Sequence, residues 1–344
     1  MNKIKRIFWN DQEKRIRAMW RLVGQFVIMF LVAIIIQYII IVGIAIAGLV
    51  TQSITVEQIE ISTLKTVFRT FSEQHGDIPT YIHLFFSFLG GTWVAGRLLD
   101  RRRFNDFGLN FSKKWWFDFG FGLFLGAFLM TIIFLIELVA GWVTITGTFV
   151  THTPSDGYPS AILYPIVIFI LVGIQEELIG RGYQLTNLAE GFNWKRLDPR
   201  WPVVIAALIS AVIFGVAHST NPHASVVSTF NVFLGGIFLA VGFILTGRLG
   251  IPIGLHITWN FFQGNVFGFP VSGTAVRAAT FISVNQSGPD FWTGGAFGPE
   301  AGLLGVGAMV IGCLLVLLWV KLCDGKVSIQ KTIASAQSTA NPGR

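Results

Sequence analysis

Residues 166 to 185 read IVIFILVGIQEELIGRGYQL, an apolar run into which two carboxylates and a guanidinium are set. A run of about 20 such residues crosses a bilayer as a helix. Each charge near the centre of that helix costs about 2.5–3.5 kcal/mol, so three bare charges would cost up to roughly 10 kcal/mol. Pairing lowers the cost. Glu177 and Arg181 are four apart, acid first, the favourable order for an ion pair on one helix face. Glu176 lies about 100° around the helix from Glu177 and is free to face a cavity. A helix end with Arg181 snorkelling to the interface would explain the arginine but not two adjacent glutamates. The segment therefore predicts a membrane helix that contributes to a polar cavity.

Composition agrees with this. Of 344 residues 53% are hydrophobic and 12% charged, whereas a soluble domain carries about a quarter charged residues. Lipid is the expected partner for much of the surface. The net charge of +7 comes from short basic runs between apolar stretches. That is the pattern of cytoplasmic membrane loops, and no nucleic-acid partner is expected. Cys313 lies in an apolar stretch and Cys323 just beyond it, so two free thiols are expected rather than a disulfide.

Eight apolar segments are candidate spans, at about 22–50, 81–99, 116–146, 161–183, 202–218, 226–247, 253–270 and 301–321. The fold class expected is all-α, a polytopic transmembrane bundle of about eight spans with an intramembrane polar cavity. Lys and Arg concentrate in residues 1–21, in DRRRFNDFGLNFSKK (100–114), at Lys195, Arg196 and Arg200, at Arg248, and in the tail with Lys321, Lys326 and Lys331. The alternate loops hold few, Lys65 and Arg69 in one and Arg277 in another. Both termini are therefore expected in the cytoplasm. The divisions expected are a basic N-terminal segment (1–21), N-terminal helices (22–160), core helices (161–270), a loop with the last span (271–322), and a disordered tail (323–344).

Two further segments break the apolar pattern. VIFGVAHSTNPH (212–223) ends a span at His218, with Phe214 one turn before it. GLHITWNFFQGN (254–265) carries His256 and Asn260 four apart, on one helix face. Glu137 is another intramembrane carboxylate, and it receives no role. If Glu176, His218, His256 and Asn260 converge, the carboxylate is a base towards water and a neutral His beside it shares that water. A second His and an Asn amide are donors suited to an oxyanion. This set suffices for amide hydrolysis without a Ser or Cys nucleophile. Glu176, His218 and His256 are also zinc-ligand types. The lack of HExxH and the origin of the ligands in three helices favour a metal-free site, with zinc as the alternative.

The ordered motifs EExxxR (Glu176, Glu177, Arg181), FxxxH (Phe214, His218) and HxxxN (His256, Asn260) resemble the type II CAAX prenyl endopeptidase and bacteriocin-processing (Abi) family. The run RRRFNDFGL (101–109) is similar to its bacterial members. The resemblance implies a cell-membrane glutamate-dependent endopeptidase acting on a protein or peptide, with a water-filled cavity open to the cytosolic side. It implies Glu176 as general base, His218 sharing the water, and His256 with Asn260 as the oxyanion site. Glu177 and Arg181 take supporting roles. A bacterial plasma membrane is the implied location. The alternative is a non-proteolytic member of the same fold, acting in bacteriocin immunity or as a scaffold. A transporter or proton relay built from the same acid and His residues is a third reading.

Overall fold

The computed structural model describes residues 7–11, 13–51, 78–152, 157–194, 197–275 and 278–335, with isolated positions between 60 and 69. Lys195, Arg196 and Arg277 of the charge tally, and the tail beyond Ser335, lie outside the described residues. A hairpin of β1 (Trp9–Asn10) and β2 (Arg15–Ile16) precedes α1 (Ala18–Val50). Then come α2 (Ile78–Ala95), α3 (Lys113–Val139), β3 (Val143–Thr151) and α4 (Tyr158–Glu177). The second half holds α5 (Arg200–Ala217), α6 (Val226–Thr246), α7 (Gly250–Phe261), β4 (Ala279–Gln286) and α8 (Leu303–Asp324). Three of the helices run on through π-helical turns: α2 to Asp100, α4 through Leu178–Leu185 and a last helical turn to Gly191, and α7 through Phe262–Val266.

Seven of these helices are long and apolar enough to cross a membrane among the described residues. The chain is a multi-pass membrane protein. The expected segment at 253–270 is the exception to lipid contact: α7 with its π-helical end Phe262–Val266 is short and enclosed by its neighbours. It still passes from one end of the bundle to the other. Its first end lies where the Leu249 amide donates to Gly108 O at 3.0 Å, and its last where Asn265 donates to Ala279 O of β4 at 2.7 Å.

Small residues let α7 into the core. A Cβ on Gly122 or Gly126 of α3 would overlap the backbone of α7, and one on Gly250 or Gly254 would overlap α3. Two pairs of glycines, each four apart, thus bring the helices into backbone contact, the packing mode by which membrane helices associate without a hydrophobic drive between them.

Two boundaries differ from the sequence expectation. The third span ends at Val139, because VTITGTFVT (143–151) is rich in β-branched residues; it forms β3, paired antiparallel with β4 from Val143↔Gln286 to Thr151↔Ala279. Glu137 accepts from Gln286 Nε2 at 2.7 Å, joining the end of α3 to β4. The tail expected to be disordered is packed as far as Ser335: Ile333 and Ala334 are buried in the core, and Asn193 donates to Ala334 O at 2.8 Å.

The first and last described segments meet at one end of the bundle. Glu190, at the end of the long fourth helix, accepts from Arg15 and Arg21 at 2.8 Å each and also pairs with Arg102. Arg21 also pairs with Asp100 at 2.8 Å, and Arg102 donates to Ser335 O at 3.3 Å. The β3–β4 pair lies at the other end.

Candidate active site

The apolar positions of α4 seat it against α7, and the ion-paired acid expected from the sequence sits at that contact. Glu177 is fully buried, and its Oε1 accepts from Arg181 Nη1 at 2.9 Å and from His256 Nδ1 at 2.8 Å. Arg181, also fully buried, donates from Nη2 to Gly236 O of α6 at 3.1 Å, and its guanidinium lies 4.5 Å from the Phe214 ring centre. One guanidinium therefore ties α4, α5 and α6 together, through a charge pair, a carbonyl and a cation–π contact. Arg181 is a core residue and does not snorkel.

Glu176 turns the other way, as the 100° step requires. Its side chain keeps 31% exposure and reaches within 3.9 Å of His256 Nε2. Glu176, His218, His256 and Asn260 all line one cavity of about 570 Å³ between α4, α5, α6 and α7. Phe214 lines it too, its ring 4.6 Å from that of His218 and 6.2 Å from that of His256.

Hydrogen bonds fix what the imidazoles can do. His218 caps the end of α5, and its Nδ1 lies 2.8 Å from Phe214 O. A carbonyl only accepts, so Nδ1 carries a proton, and in a neutral ring it is Nε2 that offers the lone pair. His256 Nδ1 likewise meets an acceptor, the Glu177 carboxylate, which orients its ring. His218 is far along its span by sequence, about 27 Å from Arg200 at 1.5 Å per residue. Glu176 is also deep, about 20 Å along the helix from Glu190, and both line one cavity.

Among the described residues no three His, Cys, Asp or Glu side chains are placed to hold a metal ion, and Glu176, His218 and His256 are not gathered as such a set.

The sequence reading missed Glu300, Asn221 and Ser272, which line the same cavity. Asn221 and Ser272 are ordinary loop residues with no motif to mark them. Glu300 carried a signal: it is an acid three residues before the last span, in a stretch with few charges. It is buried, and burial lifts its carboxyl to about 7.

Residues 158–262 match the family described as Type II CAAX prenyl endopeptidase Rce1-like. An uncharacterized 24.3 kDa protein of Escherichia coli is 31% identical over 99 residues, 29% of this chain and 42% of that protein. The match thus covers less than half of the relative's length. No solved structure matches the chain. The matched segment contains Glu176, His218, His256 and Asn260 and the Glu177–Arg181 pair.

Proposed function

We propose, from the match of residues 158–262 to the Rce1-like family and from the geometry of the cavity, that this chain is an intramembrane endopeptidase that hydrolyses a peptide bond with water activated by Glu176 and His218. The observation that carries this reading is the split between two adjacent acids. Glu177 is consumed in the buried pair with Arg181 and His256, while Glu176 is left in the cavity with His218. A pure scaffold needs the first arrangement and has no use for the second.

In the reaction, water held between Glu176 and His218 Nε2 adds to the scissile carbonyl carbon as Glu176 takes its proton. The oxyanion accepts hydrogen bonds from Asn260 Nδ2 and His256 Nε2. That role requires a proton on both nitrogens of His256, with its positive charge shared with Glu177. The tetrahedral species collapses with cleavage of the C–N bond, and Glu176 returns the proton to the departing nitrogen, leaving an amine and a carboxylic acid whose remaining proton passes to solvent or to the amine. Closely placed acid–base groups of this kind are worth about 10²–10⁴ in rate.

The substrate is a protein or peptide segment able to enter an apolar-walled cavity inside the membrane. The end of the bundle that gathers Arg15, Arg21, Arg102 and Glu190 would face the cytoplasm of a bacterial plasma membrane.

Mass spectrometry of new protein termini tests the reading, comparing membranes from cells making the wild type with those making Glu176→Ala. The expected result is a short set of cleavages present only with the wild type. Matching profiles, with both proteins equally abundant and folded, would remove hydrolysis and leave a binding role.

A further inference from the structure

One wall of the cavity lies outside the matched segment. Val271, Ser272 and Thr274 line it, on a tight turn in which Val271 and Thr274 exchange backbone hydrogen bonds at 2.8 and 2.9 Å. Ser272 has φ of 47°, a left-handed conformation that a residue with a Cβ adopts only when its surroundings hold it there. The surroundings are visible. Glu300 Oε1 accepts from the Ser272 amide at 2.5 Å and from its hydroxyl at 3.3 Å. From the other side Asn221, three residues after His218, donates to Ser272 O at 3.0 Å. The Gly273 amide donates to Phe297 O at 2.7 Å.

We propose that the turn Val271–Thr274 is the cavity wall that selects the entering substrate segment, and that Glu300 is the residue positioning it. The proposal rests on the endopeptidase reading for its substrate, and on the geometry alone for the positioning. Glu300 comes from the turn before α8 and the selecting wall from the loop after α7, so one carboxylate joins two segments that no helix holds together.

The same contacts give the wall a pH signature. The groups packed on the carboxylate are neutral: Gln263 Nε2, which donates to Oε2, the Ser272 turn, and the backbone of Gly298. The charged groups facing the shared cavity are Glu176, Arg181, His218 and His256. Burial raises the Glu300 carboxyl from 4.5 to about 7 in the closed arrangement. A carboxyl whose pKa is raised holds that arrangement best when protonated. The turn is therefore tightest below the ordinary carboxyl value and loosens as pH rises through about 7. Gln263 Oε1, without a partner among the described residues, can accept the carboxyl proton once that amide turns over. A Glu300→Gln variant offers the same acceptor and donor and mimics the protonated state, whereas Glu300→Ala removes both.

Hydrogen exchange on the full chain in lipid nanodiscs tests the positioning, with rates corrected for their intrinsic pH dependence. In the wild type, exchange of the peptide covering 267–275 should quicken by about tenfold or more between about pH 5 and pH 8. Glu300→Gln should stay slow and Glu300→Ala fast at every pH, with α4 and α7 unchanged in all three. Asn221→Ala, which removes the other pin, should also quicken the segment and serves if Glu300→Ala does not fold. Selection is read from the termini profiles against the Glu176→Ala baseline: Glu300→Ala should change which residues flank the cut bonds, and Glu300→Gln should not. A pH-independent wild type, or a slow Glu300→Ala, would overturn the positioning role. An unchanged cleavage preference with a loosened turn would overturn the selecting role. If the wild type cuts nothing, the endopeptidase reading and the selecting role fail together, and exchange alone judges the positioning.

Discussion

Adjacent acids with opposite environments make a sharp pair of expectations at the residue scale. Glu177 neutralises a fully buried arginine, and removing one partner of such a pair costs about 3–5 kcal/mol because the other charge stays behind. Glu177→Gln should therefore lower thermal stability in nanodiscs markedly. Among the described residues Glu176 has no ion-paired guanidinium, and it keeps part of its surface open to the cavity. Glu176→Gln should leave stability within about 0.5 kcal/mol, as for other changes away from buried networks. If both variants melted alike, the division of labour between them would be wrong. This division was legible in the sequence, because the i,i+4 spacing paired Glu177 with Arg181 and left Glu176 over. The partners from other helices were not legible. Nothing in the chain says that His256 Nδ1 bonds Glu177, or that Arg181 reaches Gly236 O, since both contacts depend on how the helices pack.

Among the elements, α7 carries half of the proposed site, and its placement depends on glycines 122, 126, 250 and 254. A side chain at Gly254 would run into the backbone of α3 at Phe119. Gly254→Leu should destabilise the protein by at least about 1–3 kcal/mol, the usual cost of overpacking, and should displace His256 and Asn260 with it. Loss of cleavage together with a lowered melting temperature would agree, and a variant with wild-type stability would show that the helices do not touch there. The sequence showed α7 as a short and polar apolar segment without showing why. A helix shielded from lipid on all sides needs little hydrophobicity of its own, and only its packing reveals the shielding. The β3–β4 pair was hidden for a related reason: its first strand adjoins a span and shares its apolar character.

For the whole molecule, the buried network at Glu190 joins the N-terminal hairpin, the loop after α2, the end of the fourth helix and the tail up to Ser335. Glu190→Ala would leave three arginines without that carboxylate. It should cost about 3–5 kcal/mol and open both ends of the chain to protease before the helices. Equal resistance of variant and wild type would argue against the network. The charge bias of the sequence placed these segments at one end, although it gave no hint that they form a buried lattice of ion pairs. The proposed orientation follows from the same bias, and reporters fused to either end should both report the cytoplasm.

The central claim is that Glu176 activates water in the cavity. Its most direct test is the rate at which purified protein in nanodiscs cuts one peptide taken from a wild-type-only cleavage, measured beside Glu176→Gln. The account predicts a loss of at least about 100-fold at unchanged melting temperature and unchanged peptide binding. A Glu176→Gln protein that cuts at the wild-type rate would contradict it.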